Sequence, residues 1–142
     1  YASRGLSALV FRGANTGLDE LTTTDANQVW LVSGGAVVET EFDARESLGM
    51  ASSSIEDLAG GEAAENAAVA RDVLSGGGAD AVRDAVALNV GAGILAWEGL
   101  DNPVTQADFD QRMRGAVERA LAALADGSGA RLVERWVAAS NG

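Results

Sequence analysis

Three reactive side chains are missing from this 142-residue chain. It has no cysteine, no histidine and no lysine, so all ten basic residues are arginine. Without cysteine there are no disulfides and no thiol nucleophile, a composition that suits a reducing cytosol. Without histidine the commonest general base and the commonest transition-metal ligand are gone, and Ser/His/Asp, Cys/His and zinc-ligand constellations go with them. Without lysine there is no Schiff base and no P-loop ammonium. No apolar run reaches the roughly 18 residues that mark a membrane-spanning helix, and no signal peptide is evident. Tyr1 stands where an initiator Met would be expected, which points to a processed product or a piece of a longer chain.

Acid is what the chain has in excess. Twenty-one Asp and Glu face ten Arg, for a net charge of −11. Such a surface opposes binding to nucleic acid and to anionic membranes. Hydrophobic residues make up 47% of the sequence, enough for a folded core.

The apolar pattern divides the chain. Residues 6–12 are apolar on both alternating faces, which predicts a strand covered on both sides, central to a parallel or mixed sheet. Residues 28–42 predict a hairpin: strands over 29–32 and 37–42, with Ser33-Gly34-Gly35 as the turn. Ser54 and Asp57 have capping-box spacing. Gly60-Gly61 precedes a predicted helix over 62–74, with Glu62 and Glu65 complementing its dipole. A helix over 79–100 is expected to bury Val82, Ala85, Val86, Val90, Gly93, Ile94 and Trp97, with Gly91 and Gly93 admitting a neighbouring backbone. After the break at Asn102-Pro103, Thr105 caps a helix with Phe109, Met113, Ala116, Val117, Ala120, Leu121 and Leu124 as its buried stripe. Asp108–Arg112 and Asp110–Arg114 are spaced as ion pairs on its wet side. A last helix over 130–139 is expected to turn Leu132, Val133, Trp136 and Val137 inward. Trp30, Trp97 and Trp136 read as core, and Asn66 and Asn89 as hydrogen-bonded core amides.

One short stretch carries chemistry. In GANTGLDELTTT (residues 13–24) two adjacent carboxylates, Asp19 and Glu20, follow the first strand within a glycine loop. Ligands of open α/β sheets gather at such strand ends. Two carboxylates plus water and substrate phosphate suit Mg²⁺. Two solvated loop acids are the alternative on spacing alone. The threonines offer hydroxyls to a phosphate or simply build a turn.

Four stretches in order, LVFRGANTGLDELTTT (9–24), VWLVSGGAV (29–37), DLAGGEAAENAAVARDVLSG (57–76) and RDAVALNVGAGILAWEGL (83–100), resemble the C-terminal part of anthranilate phosphoribosyltransferases. That resemblance implies the C-terminal portion of a phosphoribosyltransferase/nucleoside phosphorylase-like α/β domain, with one central strand, a β-hairpin and about four helices. Its parts would be strand and Mg²⁺ loop (1–27), hairpin (28–42) and helical region (54–140). It implies transfer of phosphoribosyl from 5-phosphoribosyl 1-diphosphate to anthranilate, in cytoplasmic tryptophan biosynthesis, with Mg²⁺ on Asp19 and Glu20 and no catalytic side-chain nucleophile. It also implies that the helical N-terminal region, the diphosphate-binding glycine loop, the anthranilate-contacting Arg and the homodimer contact lie upstream of Tyr1, so that these residues alone are expected to be inactive. Many family members carry His where this chain has Arg12. A pyrimidine nucleoside phosphorylase-like protein, a non-catalytic relative and a self-contained acidic interaction domain are the competing readings.

Overall fold

A computed structural model describes all residues, 1–142. The order is three strands followed by helices: β1 (Ala8–Gly13), β2 (Asn27–Ser33), β3 (Ala36–Phe42), α1 (Ala44–Leu48), α2 (Ala63–Leu74), α3 (Asp80–Glu98), α4 (Phe109–Ala125) and α5 (Ser128–Ser140), with single 3₁₀ turns at Ala2–Arg4 and Glu56–Leu58. The strands form one antiparallel sheet in the order β1-β2-β3. The expected hairpin is β2–β3. Its two-residue turn needs positive φ at both positions, and Gly34 (57°) and Gly35 (79°) provide it. β1 pairs only with β2, from Ala8↔Val32 to Gly13↔Asn27. Among these three strands β2 is the middle one, and one edge of β1 is open, as expected for a strand whose other neighbours this chain does not supply.

Helices cover the sheet face that carries Val29, Leu31 and Phe42, all buried. Phe42 meets Phe109 of α4 edge-on, with ring centroids 5.4 Å apart and planes at 84°, a favoured aromatic geometry. The α4 stripe is as expected: Phe109, Met113, Ala116, Val117, Ala120 and Leu124 are buried, and Leu121 packs at the core's margin. Thr105 N–H and Oγ1 donate to Asp108 Oδ1 at 2.8 Å, which fixes the entry to this helix. Asp108 pairs with Arg112 at 3.7 Å. Asp110 and Arg114 do not pair with each other. Ser47 comes between them: its hydroxyl donates to Asp110 at 2.7 Å, and its carbonyl accepts from Arg114.

On α3 the buried residues are Ala87, Leu88, Gly91, Ala92 and Leu95. The expected stripe is thus displaced. Val82, Ala85, Val86 and Ile94 are half-buried, while Val90, Gly93 and Trp97 are exposed. Packing on α4 decides the rotation. A Cβ on Gly91 would lie 2.8 Å from Val117 Cγ2 and 3.2 Å from its amide nitrogen, so only glycine permits this approach. Gly93 faces open space. The helix is apolar nearly all round, and its period alone does not select a face.

α5 is the other correction. Its first turn packs beside Leu74, but Leu132, Val133, Trp136 and Val137 are exposed, Trp136 to 70%. Trp97 is 74% exposed and Trp30 half-buried, so none of the three tryptophans lies in the core. The chain exposes 8250 Å². A compact monomer of 14.4 kDa would expose roughly 6,800 Å². No helix is long and apolar enough to cross a membrane.

Candidate functional site

The loop from β1 to β2 doubles back on itself. Gly13 N–H donates to Leu18 O at 2.7 Å, and Gly17 N–H donates to Gly13 O at 3.1 Å. Gly17, at φ 70°, turns the chain where a side chain would be strained. Asp25 holds the first half of the loop. Its carboxylate accepts the amides of Asn15 (2.7 Å) and Thr16 (3.1 Å) and the hydroxyls of Thr16 and Thr24 (both 3.3 Å). Burial pushes the Asp25 pKa up, but these donors outweigh it and hold the carboxyl below the usual range.

The second half is held by side-chain amides. Asn89 Oδ1 accepts Leu21 N–H at 3.1 Å, and its Nδ2 donates to Leu21 O at 2.9 Å. Asn27, fully buried, does the same for Thr22, accepting at 3.3 Å and donating at 3.0 Å. Asn66 repeats the pattern on Gly61, at 2.8 and 2.9 Å. Asn66 and Asn89 make the hydrogen bonds the sequence suggested, but neither is a core residue: Asn66 is exposed and Asn89 half-buried. The threonine run serves structure. Thr22 and Thr23 are buried, with Thr22 Oγ1 2.7 Å from Thr24 Oγ1 and Thr23 Oγ1 2.9 Å from Ser53 Oγ.

Between these two anchorages the loop presents Asp19 and Glu20 to solvent. The Asp19 carboxyl lies within hydrogen-bonding reach of Glu20 and raises its pKa. Burial and the like charge of Asp19 add to the rise. The two carboxylates are thus close enough for one to act on the other. They are hard oxygen donors, open on the solvent side, and so fit an ion that keeps several waters and ligand oxygens in its shell. No third acidic residue joins them into a larger cluster.

Glu20, Thr22, Leu58, Val82, Ala85, Val86 and Asn89 line a hollow of about 310 Å³. Through Leu58, Val82 and Val86 it runs into a cleft of about 620 Å³ between α2 and α3. At the start of α2 the Glu62 amide donates to Glu65 Oε2 at 2.8 Å, so a carboxylate of the helix itself occupies that terminus. Arg12, exposed on β1, donates to Gln28 Oε1 at 3.1 Å, and Gln28 donates in turn to Glu39, making a polar row across the sheet. Asp25 and Asn27 were not singled out in the sequence. The only signal for either was its place at the end of a threonine run closing a loop between strands.

Residues 3–130 match the model of the glycosyl transferase family, a/b domain. The chain is 46% identical over 99% of its length to an anthranilate phosphoribosyltransferase of Arthrobacter sp. (strain FB24), and 45% identical over 99% to one of Nocardia farcinica. It spans 38% and 40% of the length of these two relatives. Among solved structures it is similar to the anthranilate phosphoribosyltransferase of Thermus thermophilus (TM-score 0.74, 33% identity, 93% of this chain and 35% of that one). It shares the fold of the Saccharomyces cerevisiae enzyme solved in complex with PRPP and Mg (TM-score 0.72, 19% identity, 90% of this chain and 33% of that one). With most of its length matched by the family model, and its strand–loop–hairpin–helix order shared with these structures, the chain belongs to the glycosyl transferase family through its a/b domain.

Proposed function

We propose that this chain supplies the cation-holding part of an anthranilate phosphoribosyltransferase, which transfers phosphoribosyl from 5-phosphoribosyl 1-diphosphate to anthranilate in tryptophan biosynthesis. The observation that carries the reading is the adjacent, exposed Asp19–Glu20 pair in the loop after β1, in a chain whose curated relatives bear that name. Asp19 and Glu20 would hold Mg²⁺, which when bound offsets the negative charge that gathers on diphosphate as it leaves the ribose. Asp25, Asn27 and Asn89 fix the loop so that both carboxylates are in place before substrate arrives, which lowers the cost of ordering them. A leaving group stabilised in this way needs no side-chain nucleophile, so a chain without His, Lys or Cys suits the reaction. Within this reading, residues 1–27 form the strand and ion loop, 28–42 the hairpin and 54–140 the helical support. Anthranilate contacts, the remaining diphosphate contacts and a homodimer interface belong to the part of the relatives outside the match. The setting is cytoplasmic.

Fluorescent or calorimetric titration of Mg²⁺ or Mn²⁺ in the presence of 5-phosphoribosyl 1-diphosphate tests the assignment. Asp19→Asn with Glu20→Gln is expected to abolish the cation dependence of substrate binding while the circular dichroism spectrum stays unchanged. Cation-dependent binding that survives both substitutions would refute it. The 142 residues by themselves are expected to show no turnover.

A further inference from the structure

The sheet face away from the helices carries charges of both signs in one row. The register sets Arg12, Gln28 and Glu41 side by side, with Val10, Trp30 and Glu39 in the next row. Side chains two apart on a strand share a face, so these six lie together. The Gln28 carboxamide links cation to acid: its oxygen accepts Arg12 Nε–H at 3.1 Å, and its Nε2 donates to Glu39. Arg12 is engaged only through Nε, since the ion pairs of this acidic chain fall on Arg45, Arg83, Arg112, Arg119 and Arg131. The Glu41 carboxylate is exposed at the far end of the row. Arg12, Ala14, Gln28, Glu39, Thr40 and Glu41 surround a hollow of about 380 Å³, within the range of small-molecule sites (roughly 300–1,000 Å³).

We propose that this hollow binds the head group of a free α-amino acid, with the carboxylate on the Arg12 guanidinium and the ammonium between Glu39 and Glu41. The Gln28 carboxamide already shows the polarity such a ligand needs, oxygen toward the cation and nitrogen toward the acid. An α-amino acid head group has that arrangement with a full charge at each end, and charge-assisted hydrogen bonds are about twice as strong as neutral ones. The two Nη groups of Arg12 form the planar fork that takes a carboxylate through parallel N–H donors. A simple anion would be repelled by Glu39 and Glu41, and a simple cation by Arg12, so the hollow selects a ligand that carries both charges. Next to it on the same face stand Trp30, half-buried, and Val10, 37% exposed. They favour an apolar or aromatic side chain on the ligand. The proposal does not depend on the proposed function, because Asp19 and Glu20 take no part in it.

Titration of the isotope-labelled chain with L-phenylalanine, followed by backbone amide chemical shifts, tests this. Saturable shifts are expected at Arg12, Gln28, Glu39 and Glu41, with Leu88 and Met113 unmoved. Phenylalaninamide, which lacks the carboxylate, and N-acetylphenylalanine, which lacks the ammonium, are each expected to bind at least about tenfold more weakly, the loss of one charge-assisted contact. Arg12→Gln and Glu41→Gln, both at exposed positions, are expected to weaken binding of L-phenylalanine by about tenfold and to leave the remaining spectrum unchanged. Absence of shifts at these four residues up to the solubility of the amino acid overturns the proposal. So do shifts centred elsewhere, a blocked compound that binds as well as the free amino acid, or either variant binding like wild type.

Discussion

Asn89, in the middle of α3, holds both backbone groups of Leu21, 68 residues away, accepting its N–H at 3.1 Å and donating to its carbonyl at 2.9 Å. The same amide also donates to Ala85 O at 2.8 Å. Helix α3 and the β1–β2 loop are thus joined by one side chain. Asn89→Ala leaves a donor and an acceptor of the buried Leu21 without partners and is expected to destabilise the protein by about 2–3 kcal/mol. Asn89→Asp keeps the acceptor, loses the donor and should be no better tolerated. Denaturant unfolding measures both, and an Ala variant within ~0.5 kcal/mol of wild type would show that the clamp contributes nothing.

Two glycines on different faces of α3 should respond with opposite signs. Gly91→Ala drives a methyl to 2.8 Å from Val117 Cγ2 and 3.2 Å from its nitrogen. Overpacking of this kind costs about 1–3 kcal/mol, more than the ~1 kcal/mol gained in helix propensity. Gly93→Ala meets nothing within 4 Å and is expected to stabilise by up to ~1 kcal/mol. Melting temperatures of the two variants decide the matter, and equal shifts would mean that α3 and α4 are not packed as described.

Asp25 makes the first half of the ion loop sensitive to acid. Its folded pKa lies below the unfolded value, so its contribution is complete above the ordinary carboxylate range and is lost as pH falls through the depressed folded pKa. Amide exchange at Asn15 and Thr16 should accelerate across that window, and Asp25→Asn should bring the acceleration forward to neutral pH. Asp84 has the opposite sign. Burial raises its folded pKa, with Arg83 opposing the rise, so its charge costs stability that appears as pH rises past the ordinary Asp value. Asp84→Asn is expected to stabilise the fold near neutrality and to have no effect in strong acid.

In the proposed site, Glu20 would link cation binding to pH. Asp19 raises its folded pKa, so the pair becomes fully ionised only above the usual Glu range. Mn²⁺ affinity, followed by the relaxation of water protons with 5-phosphoribosyl 1-diphosphate present, should strengthen as pH rises through that elevated value. Asp19→Asn should move the rise to lower pH while weakening the plateau. A pH profile identical in the two proteins would mean that the carboxyls do not share the ion.

How far the sequence could be read depended on whether each element had one answer. α4 has a single apolar stripe and one wet face, so Met113, Val117 and Leu124 fell where their spacing put them. α3 offers two apolar sets, and only the approach of Val117 to Gly91 chooses Leu88 and Leu95 over Val90 and Trp97. α5 is strongly amphipathic, but periodicity says only that Leu132 and Trp136 share a face, not that anything covers it. Asp110 and Arg114 had ion-pair spacing, yet Ser47 from a distant part of the chain took both. The exposed loop position of the acidic pair was legible because it stands beside glycines after a strand. Asp25 was not, because its partners are backbone amides that only the folded loop brings together.

The two halves of the ion loop are fastened by different chemistry. Near Gly13 the fastening is a carboxylate, and near Leu21 and Thr22 it is a pair of uncharged amides. Acid therefore releases the carboxylate fastening only. The loop then loses the hold on Asn15 and Thr16 but keeps the backbone bonds of Gly13 to Leu18 and Gly17 and the tether of Leu21 to α3. Return to neutrality re-closes a single latch rather than refolding a segment, so the loss of the site in acid is expected to be fast and fully reversible.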